Sequence, residues 1–377
     1  MPMDTSKYIC AAMLLLATAG LAFPGTIAQS TAVSGCFTDV KWSFCYNLDE
    51  ARGQGLELYS VSFDGTFIFY NIGVPFSMTR YEGGMAGPYK DILGQASSTV
   101  PGYGLGAVTL TNADCPRFLG SGTLYGNNRV CYEKLLTGKD PRVFIWSKFN
   151  VYNYQFIASY ELRQDGTFLP KVLLGGTLAD ANSGGGSTSW QHQHYIYWRM
   201  DIDMNSWPND KFQEFTKTAV VYSNQNTDAA CPASPWCTLG TETFRDRGYA
   251  TFTKWRQVDF GATNSKGHPK SIEIMSDSQG AVDPMSTHDV WAVRYKCQGV
   301  SNGCEMGYQV PANPTSDAPI NAYASGESIN GQDIVVWYSH KVHHEPRDEE
   351  TPTMAVHEAG PIIKVRNVDA SNPGQGL

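Results

Sequence analysis

Alternating runs of residues broken by turn signals constrain this chain more than any other feature. Residues 56–63 (LELYSVSF) alternate, reach Asp64-Gly65, and resume as residues 66–70 (TFIFY). Successive side chains on a strand point to opposite faces, and Asp-Gly supplies the positive φ values that a tight hairpin turn requires. A second unit of this kind runs over residues 156–162, Asp165-Gly166 and residues 168–174. Further β-rich runs are residues 195–202, 249–258, 290–295 and 334–338. No convincing long amphipathic helix stands out; residues 212–221 are the best candidate and read equally well as a strand. Many short strands separated by Gly, Asn and Asp turns predict a mainly β protein, a large antiparallel β-sandwich. The Gly/Ser-rich residues 181–189 are closely flanked by strands and read as a loop inside one domain, not a linker between two.

The chain has 377 residues, 12% of them aromatic and 17% charged, with a formal net charge of −8. Few charges among many aromatic residues indicate a globular fold, not disorder. Without a basic cluster, nucleic acid and acidic membranes have no electrostatic attraction for it. Residues 9–22 form an almost uninterrupted apolar run after Lys7, followed by Thr26-Ile27-Ala28. That pattern reads as a secretory signal cleaved after Ala28, and it is short of the ~20 apolar residues that span a bilayer. Residues 1–28 are thus expected to be removed, leaving residues 29–377 as a single extracellular domain. Of the nine cysteines, Cys10 leaves with the signal and eight remain. An even number in a secreted chain suggests disulfides, and proximity suggests Cys36/Cys45, Cys115/Cys131, Cys231/Cys237 and Cys297/Cys304. Zinc ligation is the alternative, although no C-x-x-C pair supports it. Asn313 is followed by proline, so no N-glycosylation sequon is present.

His192-Gln193-His194 precedes residues of high β propensity, which places both imidazoles on one face of a strand, where they can reach one ion. An all-nitrogen set favours copper or zinc; two unrelated strand histidines would give the same short motif. Asp201-Ile202-Asp203 follows on the same stretch. Asp333 opens the apolar run Ile334-Val335-Val336-Trp337-Tyr338, which leads to His343-His344. Carboxylates and carbonyls are hard oxygen donors suited to calcium, or these aspartates are solvated turn residues.

Residues 191–203 (QHQHYIYWRMDID) and 333–354 (DIVVWYSHKVHHEPRDEETPTM) resemble two segments of the copper amine oxidases, the second carrying H-x-P-R and a downstream Pro-x-Met. The resemblance extends over nearly the whole mature chain, through Asp114-Cys115-Pro116 to Cys131 and the opening residues 42–65. It implies the catalytic β-sandwich alone, without the small domains that precede it in larger relatives. It also implies copper on His192, His194 and His344. His343 does not fit H-x-P-R. A second, calcium-type site is implied at Asp201, Asp203 and Asp333 with the carbonyls of Ile202 and Ile334. A homodimer is expected on the same ground.

That family makes topaquinone from a tyrosine in an N-Y-(D/E)-Y motif. The matching residues here are Asn153-Tyr154-Gln155-Phe156, so the asparagine and the precursor Tyr154 are retained while the acid and second tyrosine are changed; the upstream threonine position is Asn150. Tyr81 matches the tyrosine that hydrogen-bonds the quinone. The general base of the family is an aspartate ahead of a Tyr-Gly-x-Gly stretch, matched here by Tyr103-Gly104-Leu105-Gly106. Counting back without a gap reaches Thr99, and aligning through Tyr89-Lys90 reaches Gly94; neither can take a proton. Asp91 is near enough in sequence to substitute. Two functions follow. One is oxidative deamination of a primary amine with O2, releasing aldehyde, ammonia and hydrogen peroxide. The other is a secreted copper-binding protein that has lost turnover. A three-histidine zinc hydrolase would also use such nitrogens, but no carboxylate base for it can be assigned.

Overall fold

A computed structural model of the chain describes residues 33–48, 55–82, 88–91, 93, 106–151, 154–178, 190–205, 207–217, 236–247, 252–278, 280, 284–296, 318–350 and 353–369. The signal segment, the loop 181–189, Asn153, Gly94, Thr99, Tyr103, Cys231, Cys297 and Cys304 lie outside these residues.

Twenty strands form within the described residues. They are β1 (Val33–Asp39), β2 (Trp42–Leu48), β3 (Leu56–Phe63), β4 (Thr66–Tyr81), β5 (Tyr89–Asp91), β6 (Gly122–Tyr125) and β7 (Val130–Leu135). Then come β8 (Arg142–Val151), β9 (Tyr154–Arg163), β10 (Thr167–Thr177), β11 (His192–Ile202), β12 (Asp210–Lys217), β13 (Cys237–Leu239) and β14 (Thr243–Arg245). The chain continues through β15 (Phe252–Thr263), β16 (Pro269–Met275), β17 (Val290–Arg294), β18 (Ile334–His344), β19 (Thr353–Ala359) and β20 (Ile362–Arg366). One nine-stranded sheet has the order β1-β2-β3-β4-β11-β18-β17-β14, with β5 beside β4. An eleven-stranded sheet has the order β13-β12-β15-β16-β20-β10-β9-β8-β7-β6, with β19 beside β10. All pairings are antiparallel, as the alternation predicts.

Both expected hairpins form. Asp64 (φ 48°) and Gly65 (φ 75°) both adopt positive φ at the β3–β4 turn, as a two-residue turn that matches strand twist demands. Between β9 and β10, Gly166 (φ 82°) takes the left-handed position, and the Thr167 amide donates to Asp165 Oδ1 at 2.8 Å. Residues 212–217 of the ambiguous 212–221 stretch are in strand β12, held by backbone pairing to β13 and β15. Long-range pairing, invisible to local periodicity, decides the outcome.

The main apolar core draws on both sheets. Trp198 of β11 meets Tyr160 of β9 edge-on (5.9 Å, 77°), and Phe69 of β4 packs on Phe168 of β10 (5.6 Å). On β11, Ile196, Trp198, Met200 and Ile202 enter this core, while Tyr195 and Tyr197 join Trp291 and Trp337 in a second cluster on the opposite face. The strand is therefore buried on both faces, which explains its nearly continuous apolar sequence. Burying each such large side chain contributes about 1.5–3 kcal/mol, so β11 and β18 form a rigid base for the polar residues at their ends.

Two expected disulfides are present: Cys36–Cys45, directly opposed across β1 and β2, and Cys115–Cys131. Cys237 is also disulfide-bonded. Among the described residues no helix is long and apolar enough to cross a membrane.

Candidate metal centre

The ladder register assembles the centre. His192 is opposite His344 on β18 and opposite Tyr81 on β4, while His194 is opposite Thr79. Directly opposed residues share a face, so all five side chains point the same way as Ile196 and Trp198, into the space between the sheets. His343 falls on the other face and is exposed. Tyr154 reaches the same space from β9 of the facing sheet.

Three contacts define the geometry. Tyr154 Oη lies 3.0 Å from His192 Nε2 and 2.8 Å from Tyr81 Oη, and His192 Nε2 lies 3.1 Å from His344 Nδ1. The rings of His194 and Tyr154 meet at right angles (5.2 Å, 90°), as do those of His194 and His192 (4.9 Å, 85°). The outer nitrogens are all engaged. His192 Nδ1 donates to the Trp190 carbonyl (3.0 Å), and His344 Nε2 donates to Glu350 Oε2 (2.9 Å). His194 Nδ1 is 3.0 Å from Thr79 Oγ1.

Those partners fix the tautomers. A carbonyl only accepts, so His192 carries its proton on Nδ1 and leaves Nε2 bare. Glu350 also accepts the amides of Ala355 (2.9 Å) and Arg347 (3.1 Å). Burial raises its pKa, but its bonds from His344, Ala355 and Arg347 outweigh this and hold it below the usual carboxylate range. An ionised Glu350 keeps the His344 proton on Nε2 and leaves Nδ1 bare. Two lone pairs therefore face each other at 3.1 Å, which is repulsive unless a cation lies between them. Two nitrogens at about 2.0–2.1 Å from one ion, at an angle near 100°, are separated by about this distance. His194 Nε2, buried and without a hydrogen-bond partner among the described residues, supplies a third nitrogen. Burial first, then neighbouring imidazoles, push His194 well below its ordinary pKa. Burial pushes His192 down to about 4, against a raising contribution from its Trp190 bond. Neutral imidazole is the ligating form, so the donor set fits a copper-type ion.

The altered motif residues divide between the two faces. Phe156 packs beside Tyr154 (5.9 Å) and meets His194 edge-on (6.2 Å, 84°), whereas Gln155 is exposed. The change at position 155 thus leaves the centre untouched. Asp91 is a carboxylate that alignment to Thr99 or Gly94 passes over. It is opposite Ser77 on β4, in line with Thr79 and Tyr81 on the face that carries the histidines. Burial raises its pKa to about 7.

Asp201, Asp203 and Asp333 form a second group, with one oxygen of each within 4.8 Å of the others. Asp201 projects from the face of β11 opposite to His192 and His194, and its Oδ2 is 3.6 Å from Arg199 Nη2. Ile202 and Ile334 are direct ladder partners. Gln257 Nε2 donates to the Ile202 carbonyl (2.8 Å) and to Asp210 Oδ2 (2.6 Å). Asp210 is raised to about 9, by burial first and then, against the Gln257 bond, by Asp259, Asp203 and Asp333. Thr79, Glu350, Asp210 and Gln257 were not among the sequence candidates. Only Thr79 carries a local signal, two residues before Tyr81 on an alternating strand.

Comparisons with known proteins bear on the family and the fold. The sequence profile of the copper amine oxidase enzyme domain matches residues 133–376. The copper-containing diamine oxidase of Mus musculus is 23% identical over 389 residues, covering 83% of this chain and 49% of its own length. The histamine oxidase of Arthrobacter globiformis is 23% identical over 194 residues, covering 48% of this chain and 28% of its own length. The chain spans about half the length of the diamine oxidases it matches. The crystal structure of a copper-containing benzylamine oxidase from Hansenula polymorpha shares the fold. Its TM-score is 0.67 at 15% identity, over 94% of this chain and 64% of that one. The Pichia pastoris lysyl oxidase PPLO does likewise (TM-score 0.64, 17% identity, 91% of this chain and 53% of that one). The chain belongs to the copper amine oxidase family.

Proposed function

We propose that the chain is a secreted copper- and quinone-dependent oxidase that converts a primary amine, O2 and water to an aldehyde, ammonia and hydrogen peroxide. The observation that carries this reading is the pair of bare ring nitrogens facing each other at 3.1 Å beside the Tyr154 hydroxyl. His192, His194 and His344 would hold copper. When bound, copper and the topaquinone derived from Tyr154 supply the two-electron oxidation of the amine and pass the electrons to O2.

The chain's own residues have separable tasks. Tyr81 holds the Tyr154 oxygen at 2.8 Å and limits its rotation. The Trp190 carbonyl, Thr79 and Glu350 orient the three imidazoles, a role that outer hydrogen-bond partners serve in metal sites generally. Asp91 is the proposed base that accepts the substrate Cα proton on a carboxylate oxygen. Its pKa near 7 is matched to proton transfer at neutral pH. Asn153, adjacent to Tyr154, is assigned to cofactor positioning by resemblance. A calcium-type ion is proposed at Asp201, Asp203 and Asp333 with the carbonyls of Ile202 and Ile334, because that oxygen-rich set suits a hard cation. The disulfides support an extracellular location.

Phe156, where the family motif carries a second tyrosine, favours the alternative of a copper-binding protein without turnover. One experiment separates the two readings. Copper-loaded, aerated protein is stained for quinone and offered a diamine, histamine and benzylamine while peroxide is measured. An oxidase gives quinone in the wild type, none in Tyr154→Phe with copper retained, and peroxide from at least one amine. Full copper with neither quinone nor peroxide refutes the oxidase reading.

A further inference from the structure

One pair of metal-binding donors, Glu350 and His357, is not used by the proposed reaction as ligands. It lies on the far side of His344. Glu350, closing the short turn Asp348–Glu350, contacts His344 Nε2, the nitrogen pointing away from His192. His357 is on β19, opposite Leu174 of β10, with its ring 4.6 Å from that of His344. One ligand atom each from His344, Glu350 and His357 lies within 4.8 Å of the other two. His357 Nε2 is buried and has no hydrogen-bond partner among the described residues, which is costly for a ring nitrogen. The rest of the His357 side chain is partly exposed, which gives an ion a way in from solvent.

The geometry points to a second divalent-ion site formed by His344 Nε2, Glu350 and His357, separate from the three-histidine centre and sharing His344 with it. Two imidazoles and a carboxylate are the donor set of zinc-type sites with an open fourth position. Tetrahedral ligands at about 2.0–2.2 Å from an ion stand about 3.3–3.6 Å apart. The 2.9 Å between His344 and Glu350 is that of a hydrogen bond, so the two atoms part by about half an ångström to admit the ion. His357 closes the remaining distance by turning a ring that no hydrogen bond at Nε2 restrains. Binding sends the His344 Nε2 proton to solvent and puts the ion in its place. The ring then lies between two ions when the three-histidine centre is also filled. The competing explanation, in which Glu350 and His357 only orient His344, requires no second ion.

The test is cobalt(II) titration of the metal-free full chain, followed by its visible ligand-field absorption and by elemental analysis, with copper added afterwards. The wild type should take one equivalent of cobalt that copper at the first centre does not displace. His357→Ala should lose that equivalent while keeping an unchanged copper EPR signal, and Glu350→Gln should weaken it. A His192→Ala/His194→Ala variant should lose copper yet retain the cobalt equivalent. Failure of the copper reading is thus distinguishable from failure of this one. Equal cobalt uptake by the wild type and His357→Ala, or only one ion of any kind in the wild type, overturns the proposal.

Discussion

Asp91→Asn exchanges a buried acid for a neutral side chain of nearly the same shape. Asp91 is buried on the histidine-bearing face, and burial lifts its carboxyl from 3.8 to about 7. A raised carboxyl favours the fold fully below the unfolded-state pKa, and that advantage is lost as pH rises through the folded value. The window is therefore about pH 4 to 7. Over that whole window, the rise from 3.8 to about 7 corresponds to about 4 kcal/mol. Urea unfolding of the wild type and Asp91→Asn at pH 5 and pH 8 checks this. Between those values the variant should gain about 2–3 kcal/mol relative to the wild type, since part of the effect already lies below pH 5. The same substitution should lower kcat/KM by about 10²- to 10⁴-fold, the usual weight of a positioned base. It should also abolish the rise in rate expected of the wild type as pH increases through about 7. If the variant kept both the rate and that rise, Asp91 would not be the base. If the stability difference did not change with pH, the buried, raised carboxyl would be refuted.

Thr79→Val removes the oxygen 3.0 Å from His194 Nδ1 while preserving shape. Copper affinity, measured by competition with a chelator, should fall about 10- to 100-fold; an unchanged affinity removes Thr79 from the positioning set. Phe156→Ala, which empties a fully buried site beside Tyr154 and His194, should cost about 3–5 kcal/mol in chemical denaturation. A cost under about 1 kcal/mol would contradict the tight packing described. Calcium, added to chelator-treated protein, should raise the melting temperature of the wild type and not that of Asp203→Asn. Equal shifts would place the ion elsewhere than the Asp201, Asp203 and Asp333 group.

The parts legible in the sequence were those governed by short-range geometry. Alternation put His192 and His194 on one face, and Asp64-Gly65 marked a real hairpin. Parity along β18 also separates buried His344 from exposed His343. What sequence reasoning missed, or in the case of Asp91 named without being able to place, is set by register between distant strands. Thr79 reaches His194 across 115 positions, and Asp91 joins the same face only through the pairing of β5 with β4. A count back from Tyr103 carries no information about that pairing. Glu350 is six residues after His344, yet it meets the ring only because β18 ends in a short turn that folds back. Asp210 is tied to the Ile202 carbonyl through Gln257 of β15, a contact between strands that no local pattern encodes.

The central claim is that His192, His194 and His344 together hold one copper ion. Pulsed EPR of the copper(II)-loaded chain counts coordinated imidazoles directly, with His194→Gln as the control. Three coupled imidazoles in the wild type and two in the variant, or loss of copper from the variant, are the predicted results. An oxygen-dominated spectrum, or the same imidazole count in both proteins, would contradict the account.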